Sequence, residues 1–258
     1  RFRFRDYDWL WAANIADRDY QRRWTSNALR LLAARPEFDG IFIDDVNPTI
    51  RYHHDPADVR ELPDDDAYAA ATGRALAAIA PRIRAFGKLV YANLGAWTDY
   101  GDEVRPWLRH LDGAMDEQWV KFGTRRGTGY RDEAGWARQV ANVAAASAEG
   151  VHVLTVTHST NSDAAAARYG YASALLATRG RVAFASVGDY HTETWFPVYR
   201  LRLGPPTGPM ETHEGGVRSR TFKRGLVLVN PTASAQRAPT GAILRPHSAR
   251  IVQASSGQ

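Results

Sequence analysis

Two short apolar segments of this chain end in pairs of acidic residues, and these residues have the types and spacing for acid–base chemistry. Asp44 and Asp45 follow the apolar run at residues 40–43, and Asp116 with Glu117 follows a second run at residues 113–115. Buried parallel strands are typically continuous Ile, Val and Phe runs. The C-terminal ends of such strands are where α/β folds place their catalytic groups. The two acidic strand ends therefore predict an acid/base pair.

The two candidate catalytic residues are Asp44 and Glu117. Side chains alternate along a strand, so Asp44 and Asp45 point to opposite faces. Alternation alone does not choose between them, but we expect Asp44 to face the site and Asp45 to support a loop. Glu117 has the longer reach and lies near Trp119, and desolvation by apolar neighbours favours a protonated carboxyl group. A carboxylate and a carboxylic acid across one pocket are the minimum for glycosidic cleavage. The alternative is that each acid caps a turn or lies in a surface loop.

Other strand ends carry groups that suit sugars. Aromatic rings stack on sugar faces, and amide, imidazole and carboxylate groups hydrogen-bond to hydroxyls. Core packing explains any one of the aromatic residues equally well, but their shared position at strand ends favours a cleft. Asn93 leads the group, because its strand should lie between those carrying the two acids, although Asn93 could also cap a turn. The predicted substrate-binding residues are Asn14, Asp45, Tyr91, Asn93, Trp97, Trp119, His158 and Asp189.

Short strands alternate with Ala-rich helices over most of the chain. The strands are predicted at residues 9–14, 40–46, 88–93, 113–117, 151–157 and 181–186, and the helices at residues 17–34, 66–86, 132–149 and 163–178. Several helices begin with an acid, which suits an N-cap. This alternation predicts right-handed parallel crossover units.

The predicted fold class is α/β, as a (β/α)₈ TIM-type barrel. Such a barrel has eight strands, whereas this chain shows six and begins abruptly at Arg1. We therefore expect an N-terminally truncated barrel that lacks its first strand–helix units. An open doubly wound sheet is the alternative, and it is disfavoured because no Gly-rich nucleotide loop follows a strand.

The composition and periodicity of the sequence change near the C-terminal quarter of the chain. Pro and Gly are dense at residues 204–209, and short strands are predicted at residues 218–222, 226–230 and 250–252. These features predict a small antiparallel β domain over residues 198–258, after a barrel domain over residues 1–197.

Composition narrows the range of functions. The 258 residues are 44% hydrophobic and 24% charged, as in an ordinary globular protein. No apolar stretch approaches the roughly 20 residues of a membrane span. The net charge of +5 comes from dispersed Arg residues, so no nucleic acid partner is predicted. The absence of Cys excludes disulfides, a thiolate nucleophile and Cys-ligated metals. The composition does not predict an oligomeric state.

A metal-dependent polysaccharide deacetylase is a rival interpretation. Asp44 and Asp45, with His53 and His54, and the later His158-Ser159 pair supply elements of such a site. That enzyme class needs a second His four residues after the first, and Ser162 occupies the position. We therefore predict no metal and no cofactor. A catalytically silent carbohydrate-binding barrel is a further alternative.

Three segments resemble a known group of proteins. Residues 38–46 (FDGIFIDDV) and 113–119 (GAMDEQW) resemble motifs of bacterial glycoside hydrolases with a TIM barrel and unassigned specificity, allied to α-galactosidase-like and endo-galactosaminidase-like barrels. Residues 220–231 are similar to the ending R-x-F-x-x-G-x-V-x-x-N-P of such proteins. The resemblance implies hydrolysis of O-glycosidic bonds in a carbohydrate substrate, with Asp44 as nucleophile or base and Glu117 as proton donor. We expect an extracellular or cell-envelope location, with the cytoplasm as the alternative.

Overall fold

The computed structural model describes residues 3–4, 7–51, 54–55 and 59–254 of an α/β protein. The chain divides into two compact units, residues 1–115 and residues 116–258. The predicted division into a catalytic domain and a C-terminal domain near residue 198 stays a prediction.

The first unit contains three parallel strands that are neighbours in the order β3, β4, β5. Its elements are β1 (Arg3–Phe4), β2 (Tyr7–Trp11), α1 (Arg18–Ala34), β3 (Gly40–Val46), α2 (Asp65–Ala85), β4 (Leu89–Leu94), α3 (Gly101–Val104), a 3₁₀ helix (Arg105–His110) and β5 (Gly113–Asp116), whose last residue belongs to the second unit.

Acidic caps and apolar packing fix the helices of this unit. Asp17 accepts a hydrogen bond from the N–H of Tyr20 at the start of α1, and Asp64 accepts one from Ala67 at the start of α2. Buried side chains of α2, such as Ile83, pack on the face of β4 that carries Val90 and other buried residues. Alternation places the side chains at positions 89, 91 and 93 on the opposite face of β4. That face is the one available to a site.

The prediction of a parallel strand at residues 9–14 is wrong. Strand β2 pairs antiparallel with β1 in a separate two-stranded sheet. Antiparallel strands need only a short connection, whereas a parallel pair needs a long crossover, so the nearby β1 is the easier partner. Asn14 lies after this strand in the turn before α1, where its side chain accepts a hydrogen bond from the N–H of Ala16.

The second unit combines a parallel strand pair with small antiparallel sheets. Its elements are α4 (Glu133–Ala148), β6 (His152–His158), α5 (Ala164–Ala177), β7 (Val182–Val187), β8 (Glu211–Thr212), β9 (Arg218–Phe222), β10 (Gly225–Asn230), β11 (Gln236–Arg237), β12 (Ile243–Leu244) and β13 (Ser248–Gln253). Strands β6 and β7 are parallel, the order β13-β10-β9-β8 is antiparallel, and β11 pairs with β12.

Residues of the C-terminal motif hold the antiparallel sheet together and against α5. The buried guanidinium of Arg220 donates to the carbonyl oxygens of Leu175, Leu176 and Thr178, at 3.2, 3.0 and 2.6 Å. These carbonyls end α5 and have no intrahelical partner. The Asn230 amide is fully buried and donates to the carbonyl oxygens of Ser234, Leu244 and Arg245, the last two at the end of β12. The motif at residues 220–231 is therefore structural.

The α/β class and the parallel crossover units are confirmed, and nearly all predicted elements agree within a residue or two. Within the described ranges, five strands are parallel to a neighbour, and closure into a barrel is not detected. The TIM barrel therefore stays a prediction. None of the helices in these ranges is long and apolar enough to cross a bilayer.

Candidate functional site

Asp44 is exposed at the end of β3, and its carboxylate is held in place by two donors. The side-chain amide of Asn93 on β4 donates to Asp44 Oδ1 at 3.0 Å. The backbone N–H of Asp45 donates to the same oxygen at 3.0 Å. Asn93 itself is buried, so it is a fixed donor on the neighbouring strand. The structure thus brings together one candidate acid and the leading candidate amide.

Asp45 occupies a strained position near the end of β3, at an irregularity in the pairing of this strand with β4. Its φ of +53° lies in the left-handed region, which a residue other than Gly enters at a cost. The Asp45 side chain accepts a hydrogen bond from the amide of Asn47. A Cβ on Gly95 would lie 1.7 Å from Asn47 Oδ1, so this Asn side chain has its place only because residue 95 is Gly. The Asp45 side chain therefore supports the loop that follows β3.

A small cavity of about 220 Å³ adjoins the two aspartates, between the end of β3 and helices α1 and α2. Tyr20, Trp24 and Tyr68 supply its aromatic lining. Burial, with a contribution from the charge of Asp45, raises the pKa of Tyr68 to about 12, so this hydroxyl remains protonated. The volume is below the roughly 300–1,000 Å³ of typical ligand pockets. The cavity can therefore hold only a small group.

Glu117 follows β5 and contacts a tyrosine and a histidine of the second unit. The Tyr190 hydroxyl donates to Glu117 Oε1 at 2.7 Å and lies 3.2 Å from His158 Nε2. His158 Nε2 is itself 3.6 Å from Glu117 Oε1. Phe122 packs its ring against the His158 ring, with centroids 4.9 Å apart. Phe122 and Tyr190 are both exposed, and their rings lie against the ring of His158.

A buried network supports the segment that carries Glu117. Asp116 accepts hydrogen bonds from the N–H of Gln118 and from the amide of Gln139 on α4, at 3.1 and 3.0 Å. Gln139 Oε1 accepts in turn from the N–H of Val120, whose φ is +52°. Burial raises the pKa of Asp116 to about 6. The desolvated carboxyl group of this strand end is therefore Asp116, and alternation along β5 is the signal that separates it from Glu117.

The chain matches a known family over most of its length. Residues 1–226 match the family described as hypothetical glycosyl hydrolase family 15. The chain belongs to this family. No curated protein sequence matches it.

In this member of hypothetical glycosyl hydrolase family 15, several predicted binding residues have structural contacts. Trp119 is fully buried and donates through Nε1 to the carbonyl oxygen of Gly170 at 2.9 Å. Trp97 is buried as well, so neither indole offers an open face to a sugar. The Tyr91 ring packs so closely over Gly113 that a Cβ on that Gly would lie 2.0 Å from it.

Asp189 stabilises the loop that carries Tyr190. Its carboxylate accepts from the backbone N–H groups of His191 and Thr192, at 2.8 and 2.7 Å, and from the amide of Asn161 at 3.2 Å. These hydrogen bonds, led by the one from His191, lower the pKa of Asp189. The contact with Glu117 is therefore made by Tyr190, which is not among the predicted site residues. No sequence pattern indicated that Phe122 would lie beside the predicted site residues.

Of the residues considered for a metal site, His53 lies outside the described residues. His54 Nδ1 is 3.1 Å from the carbonyl oxygen of Asp55. Among the residues that the structure describes, no group of three or more His, Asp or Glu side chains is arranged to hold a metal ion.

Proposed function

We propose that the chain hydrolyses O-glycosidic bonds of a polysaccharide or oligosaccharide with Asp44 and Glu117 as its two carboxyl groups. Family membership supports the reaction class. The observation that carries the residue assignment is that both acids lie close to the C-terminal ends of parallel strands, and that each accepts a hydrogen bond from a side chain distant in sequence. Asn93 holds Asp44, and Tyr190 holds Glu117.

In the proposed reaction, Glu117 gives its proton to the glycosidic oxygen as the bond to the anomeric carbon breaks. Asp44 either forms a bond to that carbon or takes a proton from the water that does so. Asn93 donates to Oδ1 of Asp44, which leaves Oδ2 for the reaction. We favour a covalent intermediate and hence retention, which requires carboxyl groups about 5–5.5 Å apart. NMR of the first-formed anomer tests this choice.

The reaction is tested by digestion of a polysaccharide and oligosaccharide panel, with the Asp44→Asn and Glu117→Gln variants alongside. Each variant should lower kcat by about 10²–10⁴-fold, because a positioned acid or base contributes that much. Asp39→Asn and Glu214→Gln are matched controls, since both remove an exposed charge away from the two candidate acids. Full activity of either acid variant would remove that residue from its role.

The same panel separates the alternatives. Oligosaccharide binding without release of new reducing ends would favour a carbohydrate-binding protein. Release of acetate that stops on chelation would favour a deacetylase.

A further inference from the structure

The Tyr190 hydroxyl has one proton and two neighbours that could accept it. Glu117 Oε1 lies 2.7 Å away and His158 Nε2 lies 3.2 Å away. An oxygen of a carboxyl group accepts a hydrogen bond whether the group is protonated or ionised. The shorter distance therefore assigns the Tyr190 proton to the bond with Glu117.

This assignment determines the state of His158. With its proton directed to Glu117, the Tyr190 oxygen is the acceptor in its contact with His158, so Nε2 carries the proton of that hydrogen bond. The result is a directed chain in which His158 donates to Tyr190 and Tyr190 donates to Glu117. Oε1 of Glu117 is occupied in this chain, and Oε2 is the oxygen that can carry an acidic proton.

The histidine end of this chain is held firmly. The backbone N–H of His158 donates to the carbonyl oxygen of Lys121 at 3.2 Å. The fully buried Lys121 ammonium donates to the carbonyl oxygen of His158, also at 3.2 Å. The His158 ring is further held between the rings of Phe122 and Tyr190. A fixed imidazole can therefore orient the hydroxyl of Tyr190, whose own side chain is largely exposed.

We propose that Tyr190 and His158 are positioning residues that hold Glu117 with Oε1 fixed, so that Oε2 delivers the proton to the leaving group. This inference rests on the proposed role of Glu117 as proton donor. Tyr190 acts on Glu117 directly, and His158 acts through Tyr190. Substrates with poor leaving groups need this proton, whereas the dinitrophenolate group of a dinitrophenyl glycoside leaves without it.

The test compares kcat/KM on an alkyl glycoside and on a dinitrophenyl glycoside of the sugar that the wild-type chain cleaves. Tyr190→Phe should lower the rate on the alkyl glycoside by about 10–100-fold, part of the contribution of general acid catalysis. The rate on the dinitrophenyl glycoside should change less than about threefold, since no proton is needed there. Tyr171→Phe is the matched control, because its hydroxyl belongs to the same unit but to a separate aromatic cluster.

A second set of variants tests the order of the chain. His158→Ala should lower the alkyl glycoside rate, and His158→Gln should restore part of it by returning an N–H donor. The double variant Tyr190→Phe/His158→Ala should be no slower than Tyr190→Phe alone, because His158 acts only through Tyr190. Additive losses would overturn this order.

The outcomes separate the inference from the proposed function. Suppose that Glu117→Gln abolishes cleavage of the alkyl glycoside, but Tyr190→Phe lowers kcat/KM equally on both glycosides or on neither. The positioning role of Tyr190 is then overturned, whereas the proposed hydrolase function stands. If Glu117→Gln keeps full activity, the proposed role of Glu117 is wrong and the positioning role falls with it. Circular dichroism and melting temperature of each variant identify those that fail to fold.

Discussion

Replacement of Asp116 by Asn should change how the stability of the chain depends on pH. Asp116 is fully buried, and burial raises its pKa from 3.8 to about 6. Below pH 3.8 the carboxyl group is protonated in both the folded and the unfolded state. As the pH rises from there to 6, the unfolded chain releases this proton while the folded chain keeps it. The stabilisation that the raised pKa of Asp116 contributes is therefore fully present below pH 3.8 and is lost as the pH rises through 6.

The size of the effect follows from the two pKa values. A change from 3.8 to about 6 corresponds to about 3 kcal/mol of unfolding free energy. Asn is close to Asp in size and does not titrate, and it offers one acceptor oxygen and an NH2 group with two donor hydrogens. The Asp116→Asn variant should lose a pH-independent amount, because its NH2 group cannot accept one of the two hydrogen bonds. Relative to the wild type, its unfolding free energy should then rise by up to about 3 kcal/mol between pH 4 and pH 7.

Urea denaturation at pH 4, 5, 6 and 7 measures this difference, because other titrating groups are common to both proteins and cancel. Fluorescence reports unfolding of the same unit through the fully buried Trp119 and Trp136. Glu214→Gln, an exposed change in that unit, is the control and should show no pH-dependent difference. A stability difference between Asp116→Asn and wild type that stays constant across this pH range would refute the reasoning.

Three further substitutions test other parts of the structure. Arg220→Lys replaces a planar donor group that contacts three carbonyl oxygens at the end of α5, and should lower the unfolding free energy by about 2–4 kcal/mol in urea titration. A loss below about 0.5 kcal/mol would contradict the capping role. Gly95→Ala places a Cβ 1.7 Å from Asn47 Oδ1, so calorimetry should show a loss of about 1–3 kcal/mol, and an unchanged melting temperature would argue against this contact. Asn93→Ala removes a donor to Asp44 and should lower kcat/KM by about 10–100-fold; an unchanged rate with reduced thermal stability would make Asn93 a structural residue.

The sequence alone was sufficient for most local structure. The strand Gly40–Val46 and the helices after Asp17 and Asp132 lie at or within a residue of their predicted positions. These elements are recognisable because apolar periodicity and N-cap residues act over a few neighbouring positions. The prediction of parallel pairing for the first strand was wrong, because the apolar pattern of residues 9–14 is the same for a parallel and an antiparallel strand and does not identify the partner.

Burial and long-range contacts required the tertiary structure. Glu117 and Asp116 are adjacent in sequence, yet Glu117 contacts an exposed tyrosine, whereas Asp116 is buried and accepts a hydrogen bond from Gln139. Trp119 looked like a sugar-stacking residue by type and position, but its indole is fully buried.

The local sequence determined where strands end and which of them carry acids, because those features depend on a few neighbouring residues. Tyr190 meets Glu117 across 73 positions of chain, and no periodicity within either segment specifies that pairing. Packing of α4, α5 and the strands beside them decides which side chains meet and which lose contact with water. The partners and the protonation of the candidate acids therefore depend on tertiary structure.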